Sequence, residues 1–145
     1  MTINNLNVGR DCTIDLYDPM AGGPVSFAII TGFHPKQLTT KLQSKGMDGT
    51  NRFGTEPDGW SFTVALDRSG PALDNFIDLR ERAYHAGIPM QAITVTQTIQ
   101  EPDGGYTTWR YWGVDVDLSD AGNYKNGALI TQQLEGRASG RIKVR

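Results

Sequence analysis

The chain has 145 residues, 15.9 kDa and a net charge of −2; that length admits one hydrophobic core and excludes two, and the charge gives no sign of a duplex-binding surface. Its 38% hydrophobic content excludes a disordered chain, and Cys12, the lone cysteine, excludes an internal disulfide and a cysteine zinc site. With no apolar run near the roughly 20 residues that span a bilayer, and no signal-like regions in MTINNLNVGRD, the expectation is one soluble domain over 1–145, made and kept in a cytoplasm.

Cys12, Ile14 and Leu16 alternate with Asp11, Thr13 and Asp15, the two-residue period of a half-buried strand. Val25 to Phe33 is more continuously apolar. From His34 to Gly59 alternation is weak, confined to Leu38, Thr40 and Leu42, and Lys-Gly, Asp-Gly and Phe-Gly steps recur. This reads as a long loop, and compact domains seldom carry such a loop without using it. Trp60, Phe62, Val64 and Leu66 then alternate with Ser61, Thr63 and Asp67.

Leu73, Phe76, Ile77, Ala83 and Tyr84 recur at helical spacing, predicting one helix from about 71 to 86 with Pro71 in its first turn and Gly87 and Pro89 as its stop. Its outer residues, Asp74, Asp78, Glu81 and Arg82, form a solvated face or a docking face. Ile93, Val95 and Ile99 oppose Thr94, Thr96 and Thr98, while Trp112, Val114, Val116 and Leu118 oppose Tyr111, Asp115 and Asp117. Ala128, Ile130 and Leu134 mark a late strand.

Glu-Pro-Asp-Gly occurs at 56–59 and at 101–104, and both copies read as tight reversals; the second closes a hairpin between about 91–100 and 106–118. At the C-terminus Arg137, Arg141, Lys143 and Arg145 share one parity, and Ala138, Gly140, Ile142 and Val144 share the other. That pattern is either a solvated tail or a strand with a basic edge and an apolar back.

No catalytic or metal constellation emerges. His34 and His85 stand apart from any local nucleophile and acid. Asp115, Asp117, Ser119 and Asp120 resemble a calcium loop until the twelfth position, which is Ala128 where a bidentate acid is required. The Gly-Gly pairs lack the lysine of a phosphate loop. Trp109, Arg110, Tyr111 and Trp112 read as core or subunit packing, or as a stacking platform for sugar or nucleic acid. Chemistry alone predicts a mainly β, non-catalytic domain without cofactors.

The strings NVGRDCTIDLYD, ITGFHPKQLTTKL, EPDGWSFTVALDR, YHAGIP, ITVTQTI, WRYWGVDVDLSDAGNYKNG and ALITQQLEGRASGR, in that order, resemble the tail tube proteins of contractile-tailed bacteriophages over essentially the whole chain. The resemblance implies a small β-barrel or rolled β-sandwich with one flanking helix, similar to the type VI secretion tube protein. It implies rings of six that stack into a hollow tube and conduct DNA during ejection. Implied partners are further copies of the chain, the tail sheath, tape measure, and baseplate or terminator proteins, with no membrane. The implied location is the virion tail, assembled in the host cytoplasm. A tailocin or type VI-like secretion tube, or a ligand-binding barrel, stays open as an alternative.

Within that resemblance, Leu38, Leu42, Met47 and Phe53 of the long loop are the expected contacts between rings. Thr94, Thr96 and Thr98, together with Ser61, Thr63, Asp115 and Asp117, are the expected lumen residues, because a conduit for DNA must avoid a basic wall. The alternative for these polar faces is the outer wall under the sheath.

Overall fold

The computed structural model describes residues 4–25 and 29–144. The centre of the Val25–Phe33 run and Arg145 lie outside the described residues. The described residues form eight strands and one α-helix in chain order: β1 (Cys12–Asp18), β2 (Gly23–Val25), β3 (Ile29–Lys45), β4 (Asn51–Asp67), α1 (Ala72–His85), β5 (Ile93–Gln100), β6 (Tyr106–Asp120), β7 (Thr131–Ala138) and β8 (Gly140–Lys143). They form an antiparallel sheet in the order β2-β1-β5-β6-β7-β4-β3, with β8 also on β6. Since β2 and β3 end that order without pairing to each other among the described residues, the sheet is a rolled sandwich and not a closed barrel.

The roll turns at Gly113. Residues 106–114 of β6 pair with β5, whereas 115–120 pair with β7. Gly113 takes a φ of 63°, a left-handed conformation open to glycine at little cost, and a side chain there would collide with Ser139. Ser139 in turn donates its N–H to the Trp112 carbonyl at 3.0 Å. These two breaks carry β6 and the β7–β8 run from one leaf of the sandwich to the other. One leaf holds β2, β1, β5, the first half of β6 and β8; the other holds β3, β4, β7 and the second half of β6.

The breaks also reverse which side chains point inward. Before Gly113 the buried residue is Tyr111, fully enclosed, and Trp112 is half exposed, opposite to the expected alternation; after it Val114 and Val116 are buried as expected. A strict period of two cannot register an inserted residue. Past Ser139, Arg141 turns inward while Ile142 and Val144 are exposed, which inverts the basic edge and apolar back expected for the C-terminus.

The core joins Leu16, Phe62, Val64, Leu66, Ile93, Val95, Tyr111, Val114, Val116 and Leu134 of the two leaves with Leu73 and Phe76 of α1. Phe33, Phe62 and Trp60 surround Tyr111 at centroid distances of 5.9–6.3 Å, and Phe33 lies 5.4 Å from Phe62, in tilted and edge geometries that aromatic quadrupoles favour. Helix α1 is closed off just past its end by Gly87, whose φ of 73° lets the Gly87 and Ile88 N–H groups donate to the Tyr84 and Ala83 carbonyls. Tyr84, expected on the dry side, is exposed. Asp74, expected on the wet side, accepts from Arg68 at 3.0 Å and from the buried Gln132 at 3.0 Å, so it ties the helix to β7.

The segment expected as a long loop is instead a hairpin. Strands β3 and β4 pair from Ile29↔Asp67 out to Lys45↔Asn51. Among the described residues only 60–67 of β4 have a second neighbour, β7, so 38–45 and 51–59 project as a two-stranded arm. The first Glu-Pro-Asp-Gly, read as a reversal, lies inside β4 at a bulge opposite Leu38 and Thr39; Gly59, at φ 112°, accommodates the extra residue beside the Ala138 carbonyl. The second copy is the expected turn, closed by the Gly104 N–H on Glu101 at 3.1 Å and the Glu101 N–H on Gly105 at 2.8 Å.

Candidate polar conduit face and projecting arm

Register builds one polar surface from four strands. On the outward side of the β3-β4-β7-β6 leaf, Lys36 lies beside Ser61, Ser61 beside Arg137, and Arg137 beside Asp115. The next row on that side is His34, Thr63, Glu135 and Asp117. Ser61, Thr63, Asp115, Asp117, Glu135 and Arg137 line a concave groove of about 570 Å³. Three carboxylates against one guanidinium make the groove acidic, and Asp117 beside Glu135 sets like charges directly opposite one another, an unfavourable arrangement within one subunit.

The structure therefore brings Ser61, Thr63, Asp115 and Asp117 together. It places Thr94, Thr96 and Thr98 elsewhere: β5 belongs to the other leaf, where Thr96 pairs with Asp15 and Arg110, and Thr98 with Thr13 and Thr108. The outward faces of two packed leaves point apart, so a single wall takes one set and not both. Lys36, Glu135 and Arg137, which sequence reasoning did not assign to this surface, complete it. Glu135 follows the alternation of the late strand, Arg137 belongs to a parity that fits a tail or a strand, and Lys36 falls in the segment that reads as a loop; the adjacency of β4, β7 and β6 was not legible for any of them.

Beneath the groove, Arg80 is buried and reaches Asp18, which is fully enclosed, at 3.5 Å, and the outward Asp115 at 3.9 Å. Near the root of the arm, Arg141 stacks 3.8 Å from the ring centroids of both Trp60 and Trp109, a cation–π sandwich. Arg141 donates to the Tyr111 hydroxyl at 3.3 Å, and that hydroxyl donates to Gln97 at 3.1 Å. Burial raises the Tyr111 pKa above 10.0 against the lowering effect of Arg141.

The arm carries three of the four expected ring contacts as exposed side chains: Leu42, Met47 at its tip and Phe53; Leu38 is half-buried at its root. Leu42 pairs with Gly54 and Phe53 with Gln43, so adjacent positions put Leu42 and Phe53 on opposite faces. Thr40 hydrogen-bonds to Asp58 across the bulge. Among the described residues no helix is long and apolar enough to cross a membrane.

A sandwich of two leaves joined through a bent strand, with one flanking helix and a long projecting hairpin, has matches among solved structures. A chain of the anti-feeding prophage tube-terminating cap superposes with a TM-score of 0.67 over 99% of this chain and 93% of its own, at 8% identity. The chain has a tail-tube fold. A chain of the sheath-tube complex of the extracellular contractile injection system PVC shares the tail-tube fold with a TM-score of 0.65, over 97% of this chain and 93% of its own, at 8% identity. The SPP1 tail tube gives 0.60 over 95% and 78%, at 15% identity. No family model and no curated protein matches the sequence.

Proposed function

We propose that this chain is the structural, non-enzymatic subunit of a phage tail tube, in which rings of six copies stack into a hollow conduit for DNA. The observation that carries the proposal is the concave polar leaf with its overhanging arm, on a tail-tube fold. Four antiparallel strands are an even number, so rotation of one leaf about a tube axis sets the last strand of each copy antiparallel to the first strand of the next. A ring of such leaves is an all-antiparallel barrel, which removes exposed edges.

In this reading the concave side of the leaf faces the lumen with Ser61, Thr63, Asp115 and Asp117. Its acidic groove repels phosphates and lets DNA slide, where lysines and arginines would hold it by counterion release. Thr94, Thr96 and Thr98 face outward, toward a sheath. The arm reaches the adjacent ring; with Leu42 on one face and Phe53 on the other, it suits a slot that contacts both. Tape measure, sheath and baseplate or terminator proteins are the further partners, and the tube sits in the virion tail after assembly in the host cytoplasm.

A second reading, a tailocin or injection-system tube without DNA cargo, draws on the likeness to the prophage cap and PVC chains. Particles purified with nuclease-protected DNA favour the first reading, and particles free of it favour the second. The conduit itself is tested by single cysteines in a Cys12→Ser background, using a maleimide carried on a folded protein too wide for a lumen. Assembled tubes should react at Thr96→Cys and be protected at Thr63→Cys, while both react in dissociated subunits. Equal labelling of the two in tubes overturns the assignment of faces.

A further inference from the structure

The two free edges of the polar leaf carry opposite charge. At one edge, β3 has no neighbour but β4 among the described residues, and its outward residues next to the core are His34 and Lys36. At the other, residues 115–120 of β6 pair with β7 alone among the described strands, and their outward residues are Asp115 and Asp117. All four side chains are exposed. Lys36 and Asp117 have no ion-pair partner among the described residues, while Asp115 already has Arg80 at 3.9 Å and Arg137 across the ladder. Glu135, directly opposite Asp117, adds a second negative charge beside that edge.

We infer that a second copy of this chain docks its β3 edge along residues 115–120 of β6, setting Lys36, with His34, against Asp117 and Asp115. This joint rests on the tube reading and specifies which surfaces meet and what selects them. Strand addition satisfies unpaired main-chain groups along both edges. Pro35 lacks an N–H and leaves a gap in that ladder, so the charge pair, and not main-chain bonding alone, fixes which edges join. Under the incoming strand, Ile77, Tyr84 and Met90 of the α1 region form with Val116 and Leu118 an apolar groove of about 250 Å³ beside the β6 edge. One basic edge and one acidic edge make the contact heterologous: it runs head to tail, and like edges repel.

The test uses two opposite variants of the full chain. Lys36→Glu makes both edges acidic; Asp115→Asn with Asp117→Lys makes both basic and sets no new cation on Arg80. Assembly is followed by sedimentation and electron microscopy at low salt. Each variant alone should need a protein concentration higher by ~10-fold or more to form rings, and an equimolar mixture should restore rings of alternating subunits. Wild-type assembly should weaken as salt rises. Melting curves check folding; should a reversal unfold, Lys36→Gln and Asp117→Asn must each weaken ring formation and flatten its salt dependence. Variants that assemble like wild type, or a mixture no better than its components, overturn the joint while leaving the tube reading standing. Wild-type protein that forms no rings overturns both.

Discussion

Strands β3 and β4 are one hairpin with two unlike halves. In the inner half, Phe62, Val64 and Leu66 are buried against the other leaf; in the outer half every residue from Lys41 to Lys45 and from Asn51 to Asp58 is exposed. Both halves have the same main-chain pairing. The difference shows that strand formation here depends on a partner strand, whereas apolar alternation depends on a second layer. Where the second layer stops, so does the pattern.

The largest effects should separate those halves. Phe62→Ala, in the packed half, should lower subunit stability by about 3–5 kcal/mol, read by chemical denaturation. Phe53→Ala, in the arm, should change it by less than about 0.5 kcal/mol and yet impair tube growth. Equal stability losses would erase the distinction. In the same way, deleting residues 44–52 should leave folded subunits or rings that fail to elongate in micrographs; normal tubes from that deletion would remove the arm's role in stacking.

The boundary between the halves comes next. Gly59→Ala introduces a β-carbon 2.5 Å from the Ala138 carbonyl oxygen at a φ of 112°, so it should cost about 1–3 kcal/mol. A melting temperature like that of wild type would show that the bulge is not what sets the arm on the sandwich. Arg141→Met, which removes the cation between Trp60 and Trp109, should cost about 1–2 kcal/mol and loosen the arm's root, visible as faster hydrogen exchange near Trp60.

Tyr111 gives the smallest effect. Its pKa is raised in the folded chain, so the unfolded chain ionises first; the contribution to stability is intact below pH 10.0 and is lost as pH rises through the higher folded value. Melting temperature should therefore fall above pH 10.0 more steeply in wild type than in Tyr111→Phe. Parallel slopes would place that hydroxyl in water.

Most of the packed half was legible in the sequence. The alternations at Ile14 and Leu16, at Phe62 to Leu66 and at Ile93 to Val95, and the helix from Leu73 to Ala83, all mark sides that face one core. The arm was not legible, because neither of its faces is covered within the subunit and glycines punctuate it; it read as a loop. The parity reversals at Gly113 and Ser139 were hidden for a different reason: an inserted residue shifts the phase without changing the composition. Site residues followed the same rule. Asp115 and Asp117 could be placed on a wet side from alternation alone, yet grouping them with Ser61 and Thr63, and away from Thr96, required the strand order β6-β7-β4, which pairs residues far apart in the chain.

The central claim is that the β3-β4-β7-β6 leaf forms the inner wall of a ring. A cryo-electron microscopy reconstruction of the assembled wild-type protein tests it most directly. The account predicts closed rings with Ser61, Thr63 and Asp117 on the lumen surface, Thr96 on the outside and the arm of each copy against the adjacent ring. Rings with Thr94, Thr96 and Thr98 lining the lumen, or a protein that stays monomeric at high concentration, would contradict it.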